Sequence, residues 1–197
     1  MTKGRLEAFS DGVIAILITI MVLELHVPED VTLDALPPLA PVLFSYVLSF
    51  VFLGIYWSNH HHLVQASKVV DGRVLWANLH LLFWLSLVPF GTAWMGQNGF
   101  APIPTALYGI PLVMAAVAYF ILVRALIAAP GQAVTLAAAI GSDRKGKLSI
   151  VAYLAAIPIA FLAPLVSVAI YVGVAAIWFV PDRRMERALD GPGPRPG

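Results

Sequence analysis

Residues 5–25 read RLEAFSDGVIAILITIMVLEL, and the length of their apolar part governs how the remainder is read. Gly12 to Leu25 is 14 residues, about 21 Å as a helix against roughly 30 Å of bilayer hydrocarbon. A helix that crosses must therefore draw Phe9, Ser10 and Asp11 into or against the membrane. A carboxylate at that depth is costly unless it is paired or meets a water-filled path. Ser10-Asp11-Gly12 could instead cap a helix start, but a start there leaves too few residues to span. Arg5 lies six positions from Asp11, about 240° around a helix, so the two cannot pair along one face. Asp11 then needs a partner on another helix, and polar atoms tolerated at that depth point to an ion route.

Composition sets the class. Of 197 residues, 60% are apolar and 12% charged, with mean hydropathy +0.86; soluble domains carry about 25% charged residues. This is the pattern of an all-α polytopic membrane protein. The chain has no cysteine, which excludes disulfides, thiolate chemistry and cysteine metal sites. The first apolar run is followed by Glu24, His26, Glu29 and Asp30 rather than a small-residue cleavage site, so it reads as a retained span and not a removed signal peptide.

Apolar windows place spans near 8–27, 39–63, 74–96, 103–129, 147–163 and 165–180. The last two come from one apolar stretch of 33 residues, 148–180, too long for a single crossing and interrupted by Pro158 and Pro164. A tight turn near Ala163-Pro164 divides it; one long kinked span, giving five crossings, is the rival. The 12 basic residues decide between them. None lies in the loops at 26–38, 96–104 or 163–165, and with six transmembrane helices all of them face one side. The positive-inside rule then makes both termini cytoplasmic. Residues 1–181 form one channel-sized membrane domain, with a short helix expected around 133–140, and 182–197 a partly disordered cytoplasmic tail.

Along the first span Phe9, Gly12, Ile16, Ile20 and Leu23 recur at three- and four-residue spacing, with Thr19 beside them. The stripe fits lipid contact or helix packing. It also fits a pore liner, because Glu24 at one end could gather cations, Ser10 and Asp11 sit at the other, and branched aliphatics between them make a constriction that gates by dewetting. The second span ends Trp57-Ser-Asn-His60-His61-His62 and the third carries Trp76, Asn78 and His80. Three successive histidines point about 100° apart on a helix and cannot share one metal; no i, i+4 pair with a carboxylate is present. They are interfacial side chains, or one of them joins Asn78 in hydrogen-bonding Ser10 and Asp11. Arg124 snorkels. No voltage-sensor arginine series, serine triad, phosphate loop or zinc-protease motif occurs, and Tyr171-Val-Gly-Val174 lacks the loop of a carbonyl filter. The chain does not read as an enzyme, and nothing in it suggests a cofactor or nucleic acid.

Arg5-x-x-x-Phe9-Ser10-Asp11 at the start of six spans, with Trp57 and the histidines His60 and His61 on the second and Asn78 on the third, resembles the bacterial branch of the transmembrane protein 175 potassium channels. That resemblance implies a homotetrameric cation channel in a bacterial cell membrane, with the first helix of each subunit lining the pore. It implies Ile16 as the narrowest ring, Ile20 and Leu23 as further rings, Thr19 as the polar selectivity layer, Glu24 at the pore mouth, and Arg5, Phe9, Ser10 and Asp11 in a supporting network around the inner pore. Potassium would be the permeant ion. A proton-coupled transporter using Asp11 and a nearby histidine as a relay is the alternative, and a non-transporting scaffold a third.

Overall fold

The computed structural model describes residues 2–28, 31–67, 69–129 and 144–179. The expected helix around 133–140 and the tail 182–197 lie outside these. The described chain is helical: α1 Lys3–Leu23, two short 3₁₀ turns at Leu33–Ala35 and Pro37–Leu39, α2 Ala40–Gln65, α3 Gly72–Ser86, α4 Val88–Gln97, α5 Pro102–Ala128, α6 Arg144–Leu162 and α7 Pro164–Phe179. Lys3–Leu23, Leu33–Gln65, Gly72–Gln97, Pro102–Ala128 and Arg144–Leu162 are long and apolar enough to cross a membrane, and Pro164–Phe179 is a shorter apolar helix. Read together they make the six segments of a multi-pass membrane protein.

The first helix differs from the 8–27 window at both ends. Thr2 occupies its N-cap in extended backbone, so the charged segment is already helical from Lys3, and the helix stops at Leu23 rather than continuing to residue 27. Its 21 residues reach about 31 Å, enough to cross only because Arg5 to Asp11 belong to it. The cap alternative at Ser10-Asp11-Gly12 is thereby replaced by a mid-helix position.

The window at 74–96 is two helices. Asp71 caps α3 by accepting from the Val74 N–H at 2.9 Å, and the helix breaks at Leu87, one residue before Val88-Pro89 open α4. Proline lacks the N–H needed to continue the ladder. Proline does not always break a span here: Pro111 sits inside α5 and Pro158 inside α6. The chain turns instead at Ala163, and Ser167 Oγ donates to the Ala156 carbonyl at 2.7 Å to close the α6–α7 hairpin.

α5 lies at the centre, packed against α3, α4, α6 and α7, while α1 packs on α2, α3 and α4. Close approach depends on small residues. A Cβ at Gly96 would lie 2.9 Å from Val42 Cα, so α4 and α2 meet backbone to backbone there. The Tyr171 hydroxyl rests over Gly109 and donates to the Thr105 carbonyl at 3.1 Å. Behind α1, Ser49 Oγ lies 2.6 Å from Thr92 Oγ1 and 2.8 Å from the Tyr108 hydroxyl, joining α2, α4 and α5 through buried hydroxyls. Thr92 also donates to the Val88 carbonyl at 2.7 Å.

Candidate functional site

α1 has two faces of different standing. Leu6, Ser10, Ile14, Leu17 and Met21 are buried at a three- and four-residue spacing against the rest of the bundle. Phe9, Gly12, Ile16, Thr19, Ile20 and Leu23, the stripe read from the sequence, are all exposed; Ile16 is 57% and Leu23 80% accessible. Glu24, one residue past the helix, is exposed too. Thr19 Oγ1 donates to its own helix at Ile16 O, 2.9 Å away, which leaves the hydroxyl oxygen free to accept from the open side.

The buried face is tied down by one directed chain of polar groups. Ser10 Oγ donates to the Leu6 carbonyl at 2.9 Å and accepts from Asn78 Nδ2 at 2.9 Å. Asn78 therefore turns its Oδ1 to His60 Nε2, 2.7 Å away, and His60 must carry its proton on that nitrogen. Ser10, Asn78 and His60 are all fully buried, one each from α1, α3 and α2. In a bilayer such groups have no water to fall back on, so each bond closes a group that would otherwise be costly.

Asp11 is not part of that chain. Its Oδ1 accepts from Trp57 Nε1 at 3.0 Å, so the expected bond from a histidine or Asn78 to Asp11 is replaced by an indole. Trp57 sits half exposed with its ring stacked on His61, centroids 6.2 Å apart. The geometry thus brings Ser10, Asn78 and His60 together, pairs Asp11 with Trp57, and leaves the Asp11–histidine relay unjoined. Arg5 stands on the exposed side of α1, lining an open groove with Phe9, Leu75 and Leu79.

Three contacts escaped the sequence reading. Glu7 Oε1 lies 2.9 Å from His61 Nδ1 and accepts from Gln65 Nε2 at 3.0 Å, and Lys3 Nζ donates to the Gln65 carbonyl at 2.7 Å. With Asp11–Trp57 they form an antiparallel ladder, stepping down α1 by fours as it steps up α2 by fours. The signal was present as two charged or polar series at i, i+4 spacing, 3-7-11 and 57-61-65. Among the described residues no cluster of three or more His, Cys, Asp or Glu converges to hold a metal.

Fold and site together define a multi-pass, all-helical membrane protein whose first helix is pinned on one face and open on the other. The family model described as "Endosomal/lysosomal potassium channel TMEM175" matches residues 5–89, the segment that carries the ladder except Lys3 and the whole Ser10–Asn78–His60 chain. A protein named potassium channel from Chryseobacterium sp. (strain P1-3) is 52% identical over 189 residues, 96% of this chain and 98% of its own. The endosomal/lysosomal proton channel TMEM175 of Homo sapiens is 34% identical over 96 residues, 42% of this chain and 19% of its own. The crystal structure of a lysosomal potassium-selective channel TMEM175 homolog from Chamaesiphon minutus superposes with a TM-score of 0.78 at 26% identity, covering 92% of this chain and 97% of that one. This chain belongs to the TMEM175 family, a family of channels and not of enzymes.

Proposed function

We propose that the protein is a potassium-permeable cation channel of a bacterial cell membrane, assembled as a homotetramer around an axis lined by four copies of α1. The observation that supports this reading is the open face of α1: Phe9, Gly12, Ile16, Thr19, Ile20 and Leu23 are exposed in the single chain while the opposite face is fixed by buried bonds. A face left bare beside one so firmly attached suits a shared axis. The potassium channel of 52% identity supports the choice of ion.

In this assignment Ile16 forms the narrowest ring, and Ile20 and Leu23 form rings beyond it. Rings of branched aliphatics conduct only when the constriction wets, so they gate without a moving lid. Thr19 supplies the one hydroxyl layer between them, and Glu24 at the outer mouth raises the local cation concentration. Phe9, Ser10, Asp11 and Arg5 shape the inner mouth, with Trp57, His60, His61 and Asn78 holding α1 from behind.

The deciding experiment is cation flux from proteoliposomes under potassium and sodium gradients. The intact channel passes potassium faster than sodium. Ile16→Asn, by wetting the ring, raises total cation flux roughly tenfold and narrows the preference. Saturable uptake driven by a pH gradient, without single-channel steps, would replace the channel reading by the transporter one.

A further inference from the structure

The ladder between α1 and α2 contains three side chains, Lys3, Glu7 and Gln65, that the channel reading leaves unused. Every rung is made by a side chain on the inner half of α1, between Lys3 and Asp11, and every partner lies on the last three turns of α2: Asp11 with Trp57, Glu7 with His61 and Gln65, and Lys3 with Gln65. Beyond Asp11 α1 is held by apolar packing of Ile14, Leu17 and Met21. Toward its inner end the helix is held by the buried Leu6, by the Ser10–Asn78–His60 chain and, on its α2 side, by these four ladder contacts. Glu7 is the central rung, since its Oε1 receives both His61 and Gln65.

We infer that Glu7 is a positioning residue for conduction: its bond to His61 clamps the inner end of the pore helix onto α2 and, through the charge state of His61, makes conduction follow the pH on the inner side. The inference rests on α1 lining the pore, as proposed above. Histidine is the side chain whose charge changes near neutral pH. His61 is partly open to solvent, 40% accessible, while Glu7 is 16% accessible, so protons reach the pair from water.

The groups facing this corner set the sign. From α1 come the carboxylates Glu7 and Asp11 and the ammonium group of Lys3; from α2 come His60 and His62, the latter with its ring 5.7 Å from that of His61. Arg5 lies on the other, open side of α1. Charged His61 meets the Glu7 carboxylate as an ion pair; neutral His61 leaves only a hydrogen bond. Acid on the inner side therefore tightens the clamp and keeps the inner end of α1 drawn back from the axis, and alkali loosens it. Potassium flux should fall about threefold as inner pH rises from about 6 to 8.

The test uses the whole reconstituted protein. The chain has no native cysteine, so Ala8→Cys, on the exposed side of α1 next to Glu7, takes a single spin label. Label mobility and potassium flux are both measured as inner pH is varied. The expected result is a label that loosens and a flux that falls with rising pH, both responses lost in Glu7→Gln and His61→Gln and both kept in His62→Gln. Variants that keep the full pH response of label and flux overturn the clamp. So does a wild-type label that ignores pH. A label that responds as expected in protein that passes no ions under any condition leaves the clamp standing and removes the pore reading instead.

Discussion

Ile14 and Ile16 are two residues apart on the same helix, chemically identical, and belong to opposite worlds: Ile14 is 1% accessible and Ile16 57%. The face that holds Ile14 also holds Ser10, whose hydroxyl is bonded at both ends. The face that holds Ile16 has Thr19, whose hydroxyl is turned back onto its own helix. Hydrophobicity cannot separate the two, because α1 between Gly12 and Leu23 is apolar on every side apart from Thr19. What separates them is whether the side chain meets partners within the same chain. The buried face carries the stability of α1, and the open face is free to carry its function.

The sharpest way to break that comparison is to truncate both isoleucines. Ile14→Ala opens a cavity against the bundle and should lower stability by about 2–4 kcal/mol, in line with core truncations elsewhere. Ile16→Ala removes a side chain that touches little within the chain, so stability should change by less than about 0.5 kcal/mol while conduction changes. Thermal unfolding of the detergent-purified protein, beside flux from liposomes, separates the two readouts. Equal destabilisation by both would mean that the faces are not distinct.

The next effect concerns the polar bond chain. Asn78→Ala strands the His60 Nε2 proton and one side of Ser10 in a fully buried position, and should cost about 1–3 kcal/mol. Water cannot repair the loss at that depth. An unchanged melting temperature would show that His60 and Ser10 find new partners, and that the chain is not what pins α1.

These residues also show where sequence reasoning reached and where it stopped. The 14-residue run could not span alone, so chain length already required Ser10 and Asp11 to lie within a helix, and α1 does start at Lys3. Basic residues confined to alternate connections argued for a turn in the stretch 148–180, and the chain turns at Ala163. Hydropathy runs unbroken through Leu87-Val88-Pro89, so the division of the third span into α3 and α4 left no trace in it. Pro158, read from the sequence as an interruption alongside Pro164, sits inside α6, just as Pro111 sits inside α5. Nor could spacing choose among His60, His61 and His62, which step around α2 by about 100° each. Only the rotation of α2 against α1 and α3 sends His60 to Asn78 and His61 to Glu7, and that rotation is set by packing across three helices. The indole of Trp57 reaches Asp11 for the same reason.

The smallest effect is the most discriminating. Thr19 is exposed and makes its single bond within α1, so Thr19→Val keeps the shape, removes the hydroxyl and should leave the melting temperature in place. If Thr19 forms a polar layer between aliphatic rings, the potassium-to-sodium permeability ratio, measured from reversal potentials under bi-ionic conditions, should fall about two- to threefold. Conductance should persist, because the rings at Ile16 and Ile20 are untouched. A side chain facing hydrocarbon would give the opposite result: valine is the better lipid neighbour, and neither the ratio nor the conductance would move. A substitution of one methyl for one hydroxyl therefore asks the same question as the isoleucine pair, whether the bare face of α1 meets water or lipid, with the fold held constant.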